Sequence, residues 1–222
     1  MKLLVAGCSH SAGSELIEPW HPGDPSQAYG QHVANALDCT DYVNIAGPGW
    51  SNQWIAHTLA EWLADCENLD DWFVIVGWTG SARIPVYCDS TNEVVHLCPG
   101  ANLSHYSNRI RRAYEHLYAT QFPLDLCTRI EHNRILSIQM LLKQLNVRYL
   151  MFDSVWTNHD LCDNRWIDQQ RYFRFDDKEN GYWQYYLRHV WDHSERWQNH
   201  APAHYHAYWA ELLVDYVRTQ GL

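Results

Sequence analysis

Ser9 is a hydroxyl held between two glycines. The run GCSHSAG, Gly7–Gly13, directly follows a short apolar segment, and glycines at both ends let the backbone turn sharply and expose the residue between them. Small residues after a first strand also build phosphate loops, but no GK[ST] follows here. A second glycine-rich run, NIAGPG, spans Asn44–Gly49. A backbone N–H on such a turn can approach a tetrahedral oxyanion with no side chain in the way, although the same residues also make plain loops. In a third run, GWTG at Gly77–Gly80, Thr79 offers a hydroxyl donor. Near the end of the chain, HAPAHYHAYWAELL (His200–Leu213) carries His200, His204 and His206, with His189 and His193 upstream. A neutral imidazole can take the proton of a serine hydroxyl, which makes the serine a nucleophile. Clustered histidines also bind zinc, but there is no HExxH, and His204 and His206, two apart, face different directions on a helix. No metal and no cofactor are expected.

These groups need elements to hold them. Lys2–Ala6 reads as a buried strand ending at Gly7. Ala28, Tyr29, Val33, Ala36 and Leu37 recur at helical spacing, and Tyr42–Ala46 is a second strand. Ser51 is the expected N-cap of a helix burying Trp54, Ile55, Leu59, Trp62 and Leu63. WFVIVGW, Trp72–Trp78, is a strand apolar on both faces, as in a parallel sheet. RIPVY and EVVHL within Ser81–Pro99 read as a hairpin inside an insertion at about 81–125. Helices are expected at about Ser104–Thr120 and Leu126–Leu145, the second with Leu126, Ile130, Ile138, Leu141 and Leu145 on its apolar stripe. Val147–Phe152 is the fourth strand. The polar, aromatic segment 154–199 is expected to wrap the mouth, and Ala203–Arg218 is the closing helix. Strand and helix alternate, so the expected fold is one α/β domain, residues 1–222, with a doubly wound parallel sheet. Ligands then bind beyond the carboxyl ends of the strands, at Gly7–Gly13, Gly47–Asn52, Gly77–Arg83 and Asp153–Asn158.

Composition narrows the partner. The 222 residues carry a formal net charge of −10, which argues against a nucleic-acid backbone or an anionic membrane surface. A neutral small ligand or polysaccharide suits that balance. Twelve Trp and fourteen Tyr exceed what a core of this size needs, so some rings are expected to line a groove. MKLLVAG is too short for a signal peptide and no run is long enough to span a bilayer. The seven dispersed cysteines fit reduced thiols, so a cytoplasmic location is expected, although Cys88 and Cys98 flank the hairpin and can pair if oxidised.

Taken together, the segments resemble the SGNH (GDSL-like) hydrolases. GCSHSAG is similar to their first block, GxSxxxG, with Cys8 where the family has Asp. NIAGPG is similar to the second block, with Gly49 five residues past Asn44. GWTG stands where the third block has GxND, so Thr79 occupies the Asn slot. HAPAHYHAYWAELL is similar to HPSxxGHxxWAxxL; counting back from Trp209 and Ala210 puts His200 at the family's base and His206 at its later histidine. The resemblance covers about Lys2–Trp78 and His200–Val217. It implies a three-layer α/β/α, flavodoxin-like fold with Ser9 as nucleophile and His200 as general base. It also implies an oxyanion hole of the Ser9 and Gly49 amides with Thr79, and an ester substrate, with a carbohydrate O-acetyl group favoured. Trp50, Trp78 and Arg83 would form the acceptor-side wall. The style of the opening block is similar to proteins of phage and bacterial surface-polysaccharide contexts, which would allow association with a virion. The family's acid is missing, since the positions two and three before His200 are Gln198 and Trp197. Asp192, Glu195, Asn199 or a backbone carbonyl could orient the ring, or a Ser–His dyad could remain. The rival reading is a catalytically weak or inactive module of the same fold that binds glycan or serves as a structural subunit.

Overall fold

Four apolar runs pair into one parallel sheet in the computed structural model, which describes residues 1–17, 23–88, 92–98, 103–104, 106–120, 124–155, 164–175, 181–189 and 200–222. The strands are β1 (Lys2–Gly7), β2 (Asp41–Asn44), β3 (Trp72–Trp78) and β6 (Arg148–Asp153), ordered β2-β1-β3-β6. Between β3 and β6 lies an antiparallel hairpin, β4 (Ile84–Cys88) with β5 (Glu93–Leu97), outside the main sheet. The helices are α1 (Ser9–Ala12), α2 (Tyr29–Ala36), α3 (Asn52–Asp65), α4 (Asn108–Thr120), α5 (Leu124–Gln144), α6 (Tyr182–His189) and α7 (Ala203–Gln220).

Period-two alternation splits each strand between two cores. Leu3, Val5, Phe73, Ile75, Leu150 and Phe152 face one way and pack against Tyr29 and Val33 of α2 and Trp209, Leu213 and Val217 of α7. Leu4, Ala6, Val74, Val76, Tyr149 and Met151 face the other way, onto Ile55, Leu59 and Leu63 of α3 and Ile135, Ile138 and Leu142 of α5. The result is three layers, helix–sheet–helix. The chain leaves β1 toward β2 and leaves β3 toward β6, so the crevice between β1 and β3 is the topological switch point, where such sheets bind ligands.

Two expectations need correction. On α5 and just past it, Leu126, Ile130 and Leu145 are 49%, 44% and 38% exposed. The buried residues are instead Cys127, Thr128, Glu131, His132, Ile135, Ile138, Gln139 and Leu142. Polar residues belong among them because they have partners: Gln139 donates to the Trp166 carbonyl (2.9 Å) and accepts from the Asp168 amide (2.7 Å), and Glu131 pairs with Arg134. Apolar periodicity alone cannot see such a face. On α2, Ala36 is exposed and Ala34 takes the buried position.

Ser51 caps α3 as expected, accepting from the Trp54 amide at 3.3 Å. The six cysteines among the described residues form no disulfide, Cys88 and Cys98 included. No helix of the described residues is long and apolar enough to cross a membrane.

Candidate functional site

β1 runs straight into the single turn α1, with Ser9 its first residue. Gly7 is needed there, because a Cβ at that position would meet Ser11 Oγ at 2.1 Å. The first amides of a helix have no intrahelical acceptor, so the Ser9 N–H has none within α1. Neighbouring groups fix the turn. Tyr29 Oη donates to Ser11 Oγ (2.8 Å), and Asn44 Nδ2 donates to the Ser11 carbonyl (2.8 Å) while Asn44 Oδ1 accepts from the Ala46 amide (3.0 Å). Asn44 thus ties the second glycine-rich turn to the first. The Gly47 amide adds a bond to the Gly7 carbonyl at 3.2 Å.

The second turn has a shape its residues require. The Trp50 amide bonds the Gly47 carbonyl at 3.3 Å, Pro48 is the second residue, and Gly49 has φ +73°. Pro followed by a residue of positive φ is the signature of a type II turn, and glycine takes that φ without a Cβ penalty. No atom lies within 4 Å of where a Gly49 Cβ would be, so the turn presents open backbone.

Thr79, just past β3, is fully buried. Its backbone is held on both sides by the Asn52 side chain: the Thr79 amide donates to Oδ1 (2.7 Å) and Nδ2 donates to the Thr79 carbonyl (2.9 Å). Asn52→Ala would remove this partner from two buried backbone groups, at roughly 1–3 kcal/mol for each. Urea denaturation should therefore show a loss of about 2–6 kcal/mol; a change under about 0.5 kcal/mol would mean that the clasp is dispensable.

The three histidines of the closing segment separate cleanly. His200, at the loop before α7, lies with its ring centroid 4.9 Å from that of His10, the residue after Ser9. Its Nδ1 is 3.0 Å from Glu15 Oε2, an ion-pair distance with the N–H direction outside hydrogen-bond geometry. His10 is buried in turn against Trp183 (5.4 Å, stacked) and Tyr182 (5.0 Å). His204 is exposed on α7. His206 is fully buried, its Nδ1 accepting from the Tyr29 amide (3.1 Å) and its Nε2 2.9 Å from Tyr182 Oη. An Nδ1 that accepts must be bare, so a neutral His206 carries its proton on Nε2 and donates to the tyrosine.

Burial holds these inner rings neutral. It pushes the His206 pKa down to about 3, with His32 and His200 adding to the effect. His10 is also held well below the usual range, by burial first and then by His200, His206 and Arg83. The unfolded chain protonates each ring as pH falls through about 6.5, whereas the native state does not. Unfolding therefore takes up protons, and stability falls with falling pH in the window between the unfolded and the folded pKa. Glu131, raised by burial, works the opposite way. Chemical denaturation at pH 7.5 and 5.5 should show a loss on the order of 1 kcal/mol per buried ring. A flat profile would mean that these rings charge in place.

Of the residues expected to form the acceptor wall, Trp50 and Arg83 meet: Arg83 Nη1 donates to the Trp50 carbonyl at 3.2 Å, and both are half-buried. Trp78 does not join them. It is 0% exposed, packed in the core toward α3 and α5, and has no surface to offer a ligand. It shares the strand parity of Trp72, Val74 and Val76, which fixes that direction.

The sequence reading missed four residues at or beside the site: His10, Glu15, Asn52 and His96. His96 of β5 accepts from the Ser51 amide at 3.3 Å and packs edge-on to Trp54, so the hairpin reaches the start of α3. Its pKa is pushed down to about 4, by burial and then by Arg83. Asp192, Glu195 and Asn199, weighed as partners for His200, lie outside the described residues. Among the described residues no cluster of three His, Cys, Asp or Glu side chains is disposed to hold a metal ion.

No protein-family model and no curated protein matches the sequence. Solved structures do resemble the fold. An acetyl xylan esterase from the rumen bacterium Butyrivibrio proteoclasticus superposes with a TM-score of 0.54 at 15% identity, over 99% of this chain and 64% of that one. This chain therefore spans just under two thirds of that enzyme's length. A carbohydrate esterase family 2 enzyme plus carbohydrate-binding domain from Corynascus thermopiles (Myceliophthora fergusii) gives 0.51 at 15% identity, over 100% and 67%. A psychrotrophic esterase from Pseudoalteromonas sp. gives 0.50 at 9% identity, over 98% and 97%. With a parallel four-stranded sheet between helix layers and a serine-bearing turn after its first strand, this chain has the SGNH hydrolase fold.

Proposed function

We propose that the chain is a serine ester hydrolase acting on O-acyl groups, O-acetyl above all, carried by a carbohydrate. What carries the reading is the packing of the His200 ring against His10, the residue next to Ser9 at the switch point of the sheet. Ser9 Oγ attacks the acyl carbon while His200 takes its proton through Nε2. The tetrahedral oxyanion is met by the amides of Ser9 and Gly49, with Thr79 beside them. When that intermediate collapses, the C–O bond to the sugar breaks and the imidazolium returns the proton to the leaving alkoxide. Water then attacks the acyl-serine, with His200 again as base. The acid is released and Ser9 is restored.

The substrate class rests on three supports. Net charge −10 favours a neutral ligand over an anionic one. A half-buried Trp50 beside Arg83 offers a ring face and donors to a sugar. Two of the similar structures are described as an acetyl xylan esterase and a carbohydrate esterase. The test is hydrolysis of p-nitrophenyl acetate and p-nitrophenyl octanoate, with acetate release from acetylated xylan. Turnover of the acetate and of the polysaccharide is expected. Preference for the octanoate would replace the carbohydrate substrate with a lipid ester, and no turnover of any of the three would leave the non-catalytic glycan module.

A further inference from the structure

We infer that Glu15 supplies the carboxylate that orients the base, so that the acid comes from the nucleophile's own loop rather than from the loop before His200. This rests on the proposed hydrolase chemistry.

Glu15 Oε2 lies 3.0 Å from His200 Nδ1, and the two side chains are only 12% and 16% exposed. A carboxylate against a shielded imidazole interacts far more strongly than the same pair in open water. Glu15 is brought there by an unusual backbone. After α1 the Ser14 amide bonds the Ser9 carbonyl at 3.0 Å, and Glu15 follows with φ +62°. A non-glycine residue in the left-handed region stores about 1–3 kcal/mol of strain, and such strain persists where surrounding contacts impose it. Here the strained residue is the one whose carboxylate meets the imidazole.

A carboxylate at Nδ1 does two things. It favours the tautomer with the proton on Nδ1, which leaves Nε2 as the nitrogen that can accept from Ser9. It also stabilises the imidazolium formed when that proton moves. The present approach is off the N–H direction, as is common for catalytic hydrogen bonds that tighten when substrate binds. Glu15 is therefore a positioning residue, acting on the ester only through His200. The other titratable ring against His200 is His10, itself held neutral by burial.

The test uses Glu15→Gln, Glu15→Ala and Glu15→Asp in the full chain, with kcat and KM on p-nitrophenyl acetate and the imidazole 15N spectrum of His200. The Gln and Ala variants are expected to lose about 10³–10⁴-fold in kcat with KM nearly unchanged, and Asp to recover part of the loss. In the spectrum, neutral His200 should carry its proton on Nδ1 in the native chain and shift toward Nε2 in Glu15→Ala. If Glu15→Gln stays within threefold of the native kcat while Ser9→Ala is inactive, the hydrolase reading stands and the role of Glu15 falls. If the native chain hydrolyses no ester, the hydrolase reading falls, and the spectrum alone decides whether Glu15 sets the ring: an unchanged tautomer in Glu15→Ala overturns it.

Discussion

Ser9→Ala is expected to lower kcat on p-nitrophenyl acetate by about 10⁴-fold or more and to leave the fold intact. The loss is large because without the hydroxyl no acyl-enzyme forms, and only the oxyanion donors and binding remain to act on a water attack. The fold should survive because Ser9 keeps its Cβ on substitution and opens the one-turn helix α1, where alanine is well tolerated. Four other serines near the sheet are buried, Ser11, Ser14, Ser51 and Ser154. Two of them have evident structural work. Ser11 Oγ accepts from Tyr29 under Gly7 and Gly77, and Ser51 caps α3. A fluorophosphonate should therefore label Ser9, and peptide mapping after labelling distinguishes these sites. Label on Ser11 or Ser14 would move the nucleophile along the same turn, and no label in a chain that still turns over ester would remove serine from the mechanism.

The strand ends were readable because each apolar run stops at or near a glycine or polar turn. That pattern places Ser9, Gly49 and Thr79 beyond the carboxyl ends of the strands, where the fold has them. The place of His200, on the loop just before α7, follows from the register of Trp209 and Ala210, both buried on that helix. Glu15 was not readable. A glutamate in a loop after a short helix carries no local signal, and its contact joins the two ends of the chain. Trp78 was misassigned although its parity was available: residues 72, 74, 76 and 78 of β3 share one face, and that face is covered by α3 and α5. Asn52 and Glu131 were missed for a related reason. Buried polar side chains earn their place through particular partners, and partners across elements are a property of the fold rather than of sequence spacing.

The turn that carries Ser9 is held from the core beneath it. Tyr29 links α1 to α7, since its hydroxyl bonds Ser11 and its amide bonds His206. His206 in turn meets Tyr182 of α6, whose ring also packs on His10. The buried histidine thus supports the surface on which His200 rests, and this is why the two must be separated by experiment.

His200→Ala is expected to reduce kcat by about 10⁴-fold or more at unchanged stability, whereas His204→Ala should leave both within a factor of two. His200 stands on the loop before α7 and is partly exposed, so its truncation removes little packing. His204 faces solvent. His206→Ala should behave differently from either. It leaves the Tyr29 amide without its buried acceptor and opens a cavity beneath α2, a loss of roughly 3–5 kcal/mol. Its activity should fall with the folded fraction and recover under conditions that restore folding. Added imidazole offers a second discriminator. It can fill the gap left at His200, next to His10, and return part of the turnover, but it cannot reach a position enclosed between Tyr29 and Tyr182. Circular dichroism and urea midpoints measured beside kcat separate the three cases. A folded His204→Ala chain with turnover as low as that of His200→Ala would shift the base into the first turn of α7 and overturn the register counted from Trp209. Native turnover in His200→Ala would remove imidazole at this position from the chemistry altogether.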